Sequence, residues 1–300
     1  MSIAETDRFE QKLGKKPFLV TMEVNPPKGT DLSEILRGVE QIRGLIDAIN
    51  VTDGSGAIMR ACSLAVAKVV FDAGVDPILQ MTCRDRNRLA LQADLLGASI
   101  LGIRNVLLLT GDDPKAGDHP EAKPVFDINS ASLMQVAKGM TQGKDMAGKD
   151  LKGAPTFVIG AAADPGAKDL EVEMQKFQAK IDGGADFFQT QAVFDPDAFG
   201  RFMVRAKAFG KPVLAGILLV KSANMARYMN EHVFGIQVPE ELIARFERAT
   251  DKRAECVAVT AELIRAVRES ADGIHLYPLG WEDLVPDILK EAGLERAEKK

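Results

Sequence analysis

Polar side chains that can transfer protons or bind a polar ring stand where short apolar segments of the chain end. Glu23 lies inside the first such segment, Thr-Met-Glu-Val, and Asp112 follows an apolar run that ends at Leu109. Burial raises the pKa of a carboxyl group because it disfavours the charged form, and a raised pKa suits a general acid. Glu23 is therefore a candidate acid catalyst, and its alternative role is a structural ion pair with a nearby Lys or Arg.

Amide side chains alternate with other residues in the segment Phe-Phe-Gln-Thr-Gln, residues 187–191. On a strand, Gln189 and Gln191 share one face. An amide offers a donor and an acceptor together, which suits a planar heterocycle such as a pterin or a flavin. The alternative role is a hydrogen-bonded plug inside the protein.

Eight short apolar runs alternate with longer segments of helical periodicity. The runs are residues 17–24, 46–52, 76–83, 105–110, 156–162, 186–193, 212–220 and 273–278. Eight such units without a break in composition predict α/β architecture, a single (β/α)8 barrel domain over residues 1–300, with residues 1–16 as a short N-terminal extension. Residues 111–126 and 240–270 are predicted insertions. An open, doubly wound sheet is the alternative.

Such a barrel places its active site at the C-terminal ends of its strands. The polar residues predicted there are mostly carboxylates, and histidine is scarce among them. They are Glu23, Asp53, Arg84, Asp85, Asp112, Asp113, Asp164, Gln191, Asp195, Lys221 and Tyr277.

Composition excludes several classes of partner. The chain has 300 residues, 38 Lys plus Arg against 43 Asp plus Glu, and a formal net charge of −5. Nucleic acids and anionic membranes attract clustered basic residues, which are absent here, so we expect neither as a partner. The N-terminus is charged and lacks an apolar targeting segment, which predicts a cytoplasmic protein.

The cysteines and histidines do not form a recognisable ligand set. Cys62, Cys83 and Cys256 are far apart, which argues against a disulfide framework or a zinc site. His119 lies in a stretch rich in Gly, Pro and charge and is expected to be a solvated loop histidine. We therefore expect no bound metal.

Six motifs, in this order and spacing, resemble the methylenetetrahydrofolate reductase family, and the resemblance runs from about Phe18 to Leu294. They are T-M-E-V-N-P-P at residues 21–27, N-V-T-D at 50–53, M-T-C at 81–83, L-T-G-D at 109–112, K-I-D-G-G-A-D at 180–186 and T-Q-A-V-F-D at 190–195. The resemblance is to a shorter bacterial branch without the regulatory domain of the eukaryotic enzymes.

This resemblance implies a (β/α)8 flavoprotein with its flavin at the C-terminal mouth. The family's flavin passes a hydride to 5,10-methylenetetrahydrofolate and so produces 5-methyltetrahydrofolate in one-carbon metabolism. FAD is the expected cofactor, with FMN possible. The electron donor is NADH, NADPH or another reductant, and an electron-donating partner subunit or a homo-oligomer is possible.

The resemblance also implies roles for individual residues. Glu23 matches the acid that protonates the departing nitrogen, Asp112 matches the carboxylate that binds the pterin and tunes the flavin, and Gln191 matches the amide that orients the pterin. The predicted flavin contacts are Thr52, Asp53, Gln80, Thr110, Gly111, Asp112, Asp164 and Lys180. Many bacterial members have His in place of Gln80 and Arg in place of Thr110.

Two other functions fit parts of the pattern. A pterin-binding methyltransferase barrel would use an acidic site and a folate without any flavin. A non-catalytic subunit of a larger one-carbon complex would keep the fold alone, although it has no need for three inward polar groups that cost free energy to bury.

Overall fold

Eight parallel strands close into a barrel in the order in which they occur along the chain. The computed structural model describes residues 3–233 and 235–294. The strands are β1 (Leu19–Val24), β2 (Ala48–Val51), β3 (Pro77–Thr82), β4 (Asn105–Leu109), β5 (Val158–Ala163), β6 (Phe187–Ala192), β7 (Val213–Leu218) and β8 (Gly273–Tyr277). β1 pairs with both β2 and β8, so the sheet closes. The predicted (β/α)8 barrel is confirmed, and the open sheet is wrong.

Helices surround the barrel and follow its strands. They are α1 (Phe9–Lys12), α2 (Ser33–Ile42), α3 (Ser63–Asp72), α4 (Arg88–Ile100), α5 (Ser130–Thr141), α6 (Leu170–Asp182), α7 (Pro196–Ala206), α8 (Ala223–His232), α9 (Glu240–Arg248), α10 (Lys252–Val267) and α11 (Val285–Glu291). Asp169, Asp195 and Asp251 cap α6, α7 and α10 by accepting bonds from their first free backbone N–H groups. None of the helices in the described ranges is long and apolar enough to cross a membrane.

The strands are short apolar runs because both of their faces are covered. Outward side chains pack against the helices, and every second residue points into the barrel. An apolar cluster fills the N-terminal half of the interior; its strand residues are Leu19, Ala48, Ile78, Leu107, Phe187 and Leu214. The functional half of the barrel therefore rests on a closed apolar floor.

The N-terminal segment closes this floor from below. Phe9 of α1 is fully buried and meets the ring of Phe187 edge-on, with 5.2 Å between the ring centroids. Asp76, just before β3, accepts bonds from Arg8 at 2.7 Å and from the backbone N–H of Phe9 at 2.8 Å. Residues 3–16 thus act as a plug, while residues 1–2 of the predicted extension lie outside the described part of the chain.

Two connections are longer than the rest, as the sequence predicts. Residues 110–129 join β4 to α5 and contain one short 3-10 turn, Pro114–Ala116. Between β7 and β8 the chain forms three helices, α8, α9 and α10. Gly235, between α8 and α9, lies close to Asp164 at the end of β5, since a Cβ built on it would stand 3.7 Å from the carboxylate. The second excursion therefore reaches over the mouth.

Truncation of the plug tests its contribution. Phe9→Ala is expected to lower the free energy of unfolding by about 3–5 kcal/mol, because it leaves a cavity under the barrel floor. Urea unfolding followed by circular dichroism measures the loss. Ile100→Ala truncates an apolar side chain that is 83% exposed and should change stability by less than about 0.5 kcal/mol. Equal effects of the two variants would contradict the plug.

Candidate active site

The barrel brings the three principal candidates to one end. Glu23 is the fifth residue of β1, Gln191 the fifth of β6, and Asp112 follows β4, so all three stand at the C-terminal mouth. Glu23 is buried, with 7% of its surface exposed, whereas Asp112 and Gln191 are exposed. The mouth therefore combines one enclosed carboxyl group with two accessible hydrogen-bonding groups.

Glu23 faces a histidine from the neighbouring strand. His275 of β8 is 1% exposed, and its Nε2 lies 3.9 Å from a carboxylate oxygen of Glu23. That Nε2 is buried without a hydrogen-bond partner. Tyr277, two residues on, packs edge-on against the His275 ring, and burial together with the Glu23 carboxylate raises its pKa. The carboxyl group thus lies beside an imidazole ring with an unpartnered nitrogen.

A layer of buried polar side chains lies directly beneath this pair. Gln189 donates to Thr21 Oγ1 and to Asn50 Oδ1, each at 3.1 Å, and accepts from Asn50 Nδ2 at 2.6 Å. His275 Nδ1 lies 2.9 Å from Thr21 Oγ1 and 3.3 Å from Gln189 Nε2. Of the two inward amides, Gln189 has the alternative role considered for them, a hydrogen-bonded group inside the barrel. Gln191 reaches the mouth.

The pairing between β6 and β7 is irregular near Gln191. The register between β6 and β7 shifts between Gln189 and Ala192. Thr190 Oγ1 accepts the backbone N–H of Gly216 at 2.9 Å, and the Thr190 carbonyl accepts the Tyr277 hydroxyl at 2.7 Å. Bulges are common beside active sites because they redirect side chains.

Asp112 is held by a neighbouring loop. Its Oδ2 accepts the backbone N–H of Gly56, in the loop after β2, at 2.9 Å. Gly111 has φ of +94°, and a Cβ there would lie 2.9 Å from Thr82 Cβ, so only glycine fits between the ends of β3 and β4. Thr110 is exposed and contacts Ser130 Oγ at 3.2 Å.

Asp53 is bound on all sides by protein. It accepts bonds from Arg86 at 2.7 and 3.1 Å, from the backbone and hydroxyl of Thr82 at 2.8 and 3.0 Å, and from Ser63 at 3.2 Å. Burial by itself would raise the pKa of Asp53, but the hydrogen bonds and charge of Arg86 outweigh it and hold the pKa below its usual value. These bonds fasten the end of β2 to that of β3.

Lys180 and Asp164 form a second charged group at the mouth. Lys180 Nζ donates to the carbonyl of Ala162 at 2.7 Å. Burial lowers the pKa of Lys180, although the negative charges of Glu173 and Asp164 act in the opposite direction. Burial raises the pKa of Asp164, and its backbone N–H donates to Glu173 at 2.9 Å. This group lies at the ends of β5 and α6.

The two remaining candidates line the upper interior. Thr52 is buried and donates to Asn25 Oδ1 at 2.8 Å, which ties the end of β2 to the segment after Glu23. Gln80 is 7% exposed and follows Ile78 of the apolar floor on the inward face of β3.

Comparison with known proteins decides the family. Residues 8–293 match the family described as Methylenetetrahydrofolate reductase. The chain belongs to this family. It is 24% identical over 289 residues to the 5,10-methylenetetrahydrofolate reductase of Pectobacterium carotovorum subsp. carotovorum, covering 92% of this chain and 90% of that one.

The eukaryotic relatives of the family are longer. Methylenetetrahydrofolate reductase 1 of Schizosaccharomyces pombe is 24% identical over 295 residues, which cover 93% of this chain and 47% of the yeast protein. The chain thus spans about half the length of the yeast and nematode relatives that it matches. Among solved structures, an oxaloacetate acetylhydrolase shares the fold, with a TM-score of 0.50, 12% identity, and coverage of 95% of this chain and 79% of that one.

The donor set at the mouth fits the flavin that the methylenetetrahydrofolate reductase family implies. Thr110, Asp112 and Gln191 are exposed and offer hydroxyl, carboxylate and amide groups to a planar ring. Lys180 supplies a cation one strand away, which suits a phosphate. Asp53 is the poorest fit among the candidates, because Arg86, Thr82 and Ser63 already occupy its oxygens.

Sequence reasoning missed the polar layer and His275. Thr21 and Asn50 are both fully buried strand residues, each placed two residues before a candidate at the mouth. The alternation of side chains along a strand could have indicated His275, because it shares the inward face of β8 with the candidate Tyr277. His119 is exposed and bonded to Asp118 at 2.9 Å, in accord with a solvated loop histidine.

The Asp53 and Arg86 pair predicts a pH dependence. Asp53→Asn should cost about 3 kcal/mol of unfolding free energy at neutral pH, because Arg86 keeps only Asp94 as a charged partner. The folded pKa of Asp53 is lowered, so its stabilisation is present above the unfolded pKa of about 4 and is lost as the pH falls through the folded pKa.

Urea unfolding of both proteins between neutral and acid pH measures this difference. It should shrink below about pH 4. Asp150→Asn, whose side chain is 85% exposed, should behave like the unchanged protein throughout. A difference that is independent of pH would show that the charge of Asp53 is not the stabilising feature.

Proposed function

We propose that this protein reduces 5,10-methylenetetrahydrofolate to 5-methyltetrahydrofolate at the barrel mouth. The observation that carries the proposal is the buried carboxyl group of Glu23, 3.9 Å from an unpartnered nitrogen of His275, at the mouth of a methylenetetrahydrofolate reductase barrel. Asp112 and Gln191 stand at the same mouth and are free to bind the pterin.

The substrate needs a proton before it can accept a hydride. The carboxyl group of Glu23 donates its proton to the nitrogen that departs when the five-membered ring opens. The carbon–nitrogen bond breaks with its electron pair on that nitrogen, which leaves a methylene iminium on the other nitrogen. Hydride addition then makes it a methyl group. A flavin at this mouth supplies the hydride when bound.

His275 positions Glu23 and connects it to the polar layer. Thr21 and Gln189 contact Nδ1 of His275, so the ring is fixed and Nε2 is the nitrogen that faces Glu23. A closer approach of roughly 1 Å would bring the two groups within hydrogen-bond distance. Such a hydrogen bond would hold the Glu23 carboxyl group in one orientation at the mouth.

The other site residues bind and orient. Asp112, after β4, and Gln191, on β6, hydrogen-bond the pterin from strand ends that are separated only by β5. Thr52, Gln80, Thr110 and Gly111 would hold the flavin, and Lys180 would bind a phosphate of it. Asp164 stands next to Lys180. Asp53 contributes through the strand ends that it fastens together.

FAD is the cofactor that we propose, with FMN as the alternative; the mass of the flavin released on denaturation distinguishes them. The reductant is NADH, NADPH or another donor, delivered freely or by an electron-donating partner subunit. We place the protein in the cytoplasm, as a possible homo-oligomer. The flavin-free methyltransferase and the non-catalytic subunit are less favoured because neither accounts for the family match.

Replacement of Glu23 separates the two half-reactions. Glu23→Gln keeps the shape of the side chain and removes its proton. Transfer of hydride from the reduced enzyme to methylenetetrahydrofolate should slow by roughly 10²–10⁴, the usual contribution of a positioned acid, while reduction of the flavin by its donor stays unchanged. Stopped-flow absorbance follows each half-reaction separately.

Glu34→Gln, on the exposed first turn of α2, is the matched control and should alter neither step. Equal slowing of both half-reactions in Glu23→Gln, or no slowing of the folate step, would remove Glu23 from the proposed role.

Removal of the Lys180 ammonium tests the phosphate contact. Lys180→Ala should weaken flavin binding by roughly ten-fold or more, because it deletes a charge-assisted hydrogen bond. Fluorescence titration of the apoprotein measures the affinity. Lys176→Ala removes an exposed lysine one turn earlier on α6 and should retain the flavin. Unchanged affinity in Lys180→Ala would exclude this contact.

A further inference from the structure

A cleft separate from the residues assigned to the pterin lies between three loops of the mouth. Its volume is about 410 Å³, and it is lined by the loops that follow β2, β3 and β4. We call it the loop chamber. Its walls include Ile58, Met59, Arg60, Arg84, Pro114 and Ala122, together with the carboxylates Asp53 and Asp85. The volume falls in the range of ordinary small-molecule sites.

The loops around the chamber are fastened to one another. Asp118, from the long loop after β4, accepts the backbone N–H of Met59 at 2.9 Å and forms an ion pair with Lys28. The same loop passes so close to the one after β2 that a Cβ on Gly117 would stand 1.8 Å from the carbonyl oxygen of Ala57. The chamber is therefore a built cavity rather than a gap between unattached loops.

Some of the cations that line the chamber form ion pairs with carboxylates and one, within the described part of the chain, does not. Arg84 is bonded to Asp85, and Arg86 to Asp53 and Asp94. His119 also lines the chamber and is bonded to Asp118 outside it. The remaining cation is Arg60.

Arg60 is available for a ligand. Its Nη1 donates to the backbone carbonyl of Pro26 at 3.0 Å, and its Nε is buried with no hydrogen-bond partner. No carboxylate in residues 3–233 or 235–294 forms an ion pair with it. A half-buried guanidinium without a counter-ion is a costly arrangement that an anionic ligand relieves.

We propose that the loop chamber binds a small organic anion, a carboxylate or a phosphate carried on an aromatic or apolar body. Arg60 binds the anionic group, and the side chains of Ile58, Pro114 and Ala122 contact the body. Because this site is built from residues that take no part in the proposed proton transfer, it goes beyond the folate reaction.

The chamber is linked to the active site through one loop. Met59 and Arg60 belong to the segment whose Gly56 N–H holds the Asp112 carboxylate at 2.9 Å. A ligand that packs against this segment therefore bears on the position of Asp112, so occupancy of the chamber affects the pterin side of the mouth.

Cys62 reports on the chamber without reference to catalysis. It lines the chamber and is the exposed cysteine, whereas Cys83 and Cys256 are buried. Burial raises the pKa of each of those two thiols to about 11. Iodoacetamide should therefore alkylate Cys62 first, and peptide mass spectrometry gives its rate.

The experiment compares three probes on the purified protein with its natural cofactor content. N-(4-aminobenzoyl)glutamate carries carboxylates on an aromatic ring, adenosine 5′-monophosphate carries a phosphate on one, and inorganic phosphate lacks the body. One of the two organic anions is expected to slow Cys62 alkylation at least about ten-fold at saturation, and which of them does so identifies the anion.

Variants assign the effect to the chamber. Arg60→Ala should abolish the protection, and Met59→Trp, which fills the chamber while keeping the backbone bond to Asp118, should abolish it too. Arg248→Ala, an exposed arginine at the end of α9, should leave it intact.

Three results overturn the proposal. The first is unchanged alkylation with both organic anions. The second is protection by inorganic phosphate equal to that by either organic anion, which means an adventitious ion only. The third is protection that persists in Arg60→Ala and Met59→Trp. Because alkylation does not require turnover, failure of the folate reaction and failure of this site are recorded separately.

Discussion

The upper barrel depends on the hydrogen bonds of the Gln189 side chain. It bonds to Thr21 of β1 and Asn50 of β2 and lies 3.3 Å from His275 of β8, so one amide from β6 crosses the interior to three other strands. Buried polar groups are costly unless they satisfy one another, and a connected network rigidifies the structure around it. The apolar floor fills the barrel below this layer, and the layer ties the strand ends above it to one another.

The same layer leaves one group unsatisfied. Thr21 and Gln189 occupy the Nδ1 side of the His275 ring, and Nε2 is turned toward Glu23 with no partner. Most buried polar side-chain atoms in folded proteins are hydrogen-bonded, so this nitrogen is an exception. In the proposed function this unpaired nitrogen faces the Glu23 carboxyl group, 3.9 Å away, and orients it.

The sequence predicts the barrel because its strands are covered on both faces and read as apolar runs between turns. Glu23 is predictable for the same reason, since a lone carboxylate in such a run stands out. The contacts of His275 are not predictable, because they depend on β8 closing against β1, which brings it to Thr21 from 254 residues away. For Asp53 the position at a strand end is predictable, but its bonding partners are not. Arg86 and Thr82, which occupy its oxygens, come from the next strand and the loop after it.

The two sides of the mouth are held by different means. Glu23 stands on a strand directly above the polar layer, and a carboxyl group fixed in this way favours catalysis because little reorganisation accompanies the reaction. Asp112 is exposed and is held by the backbone of Gly56, so its position follows that of a loop. The proposed proton donor is therefore fixed by a strand, whereas the proposed pterin-binding carboxylate follows its loop. A ligand that binds this loop would act on substrate recognition and leave Glu23 in place.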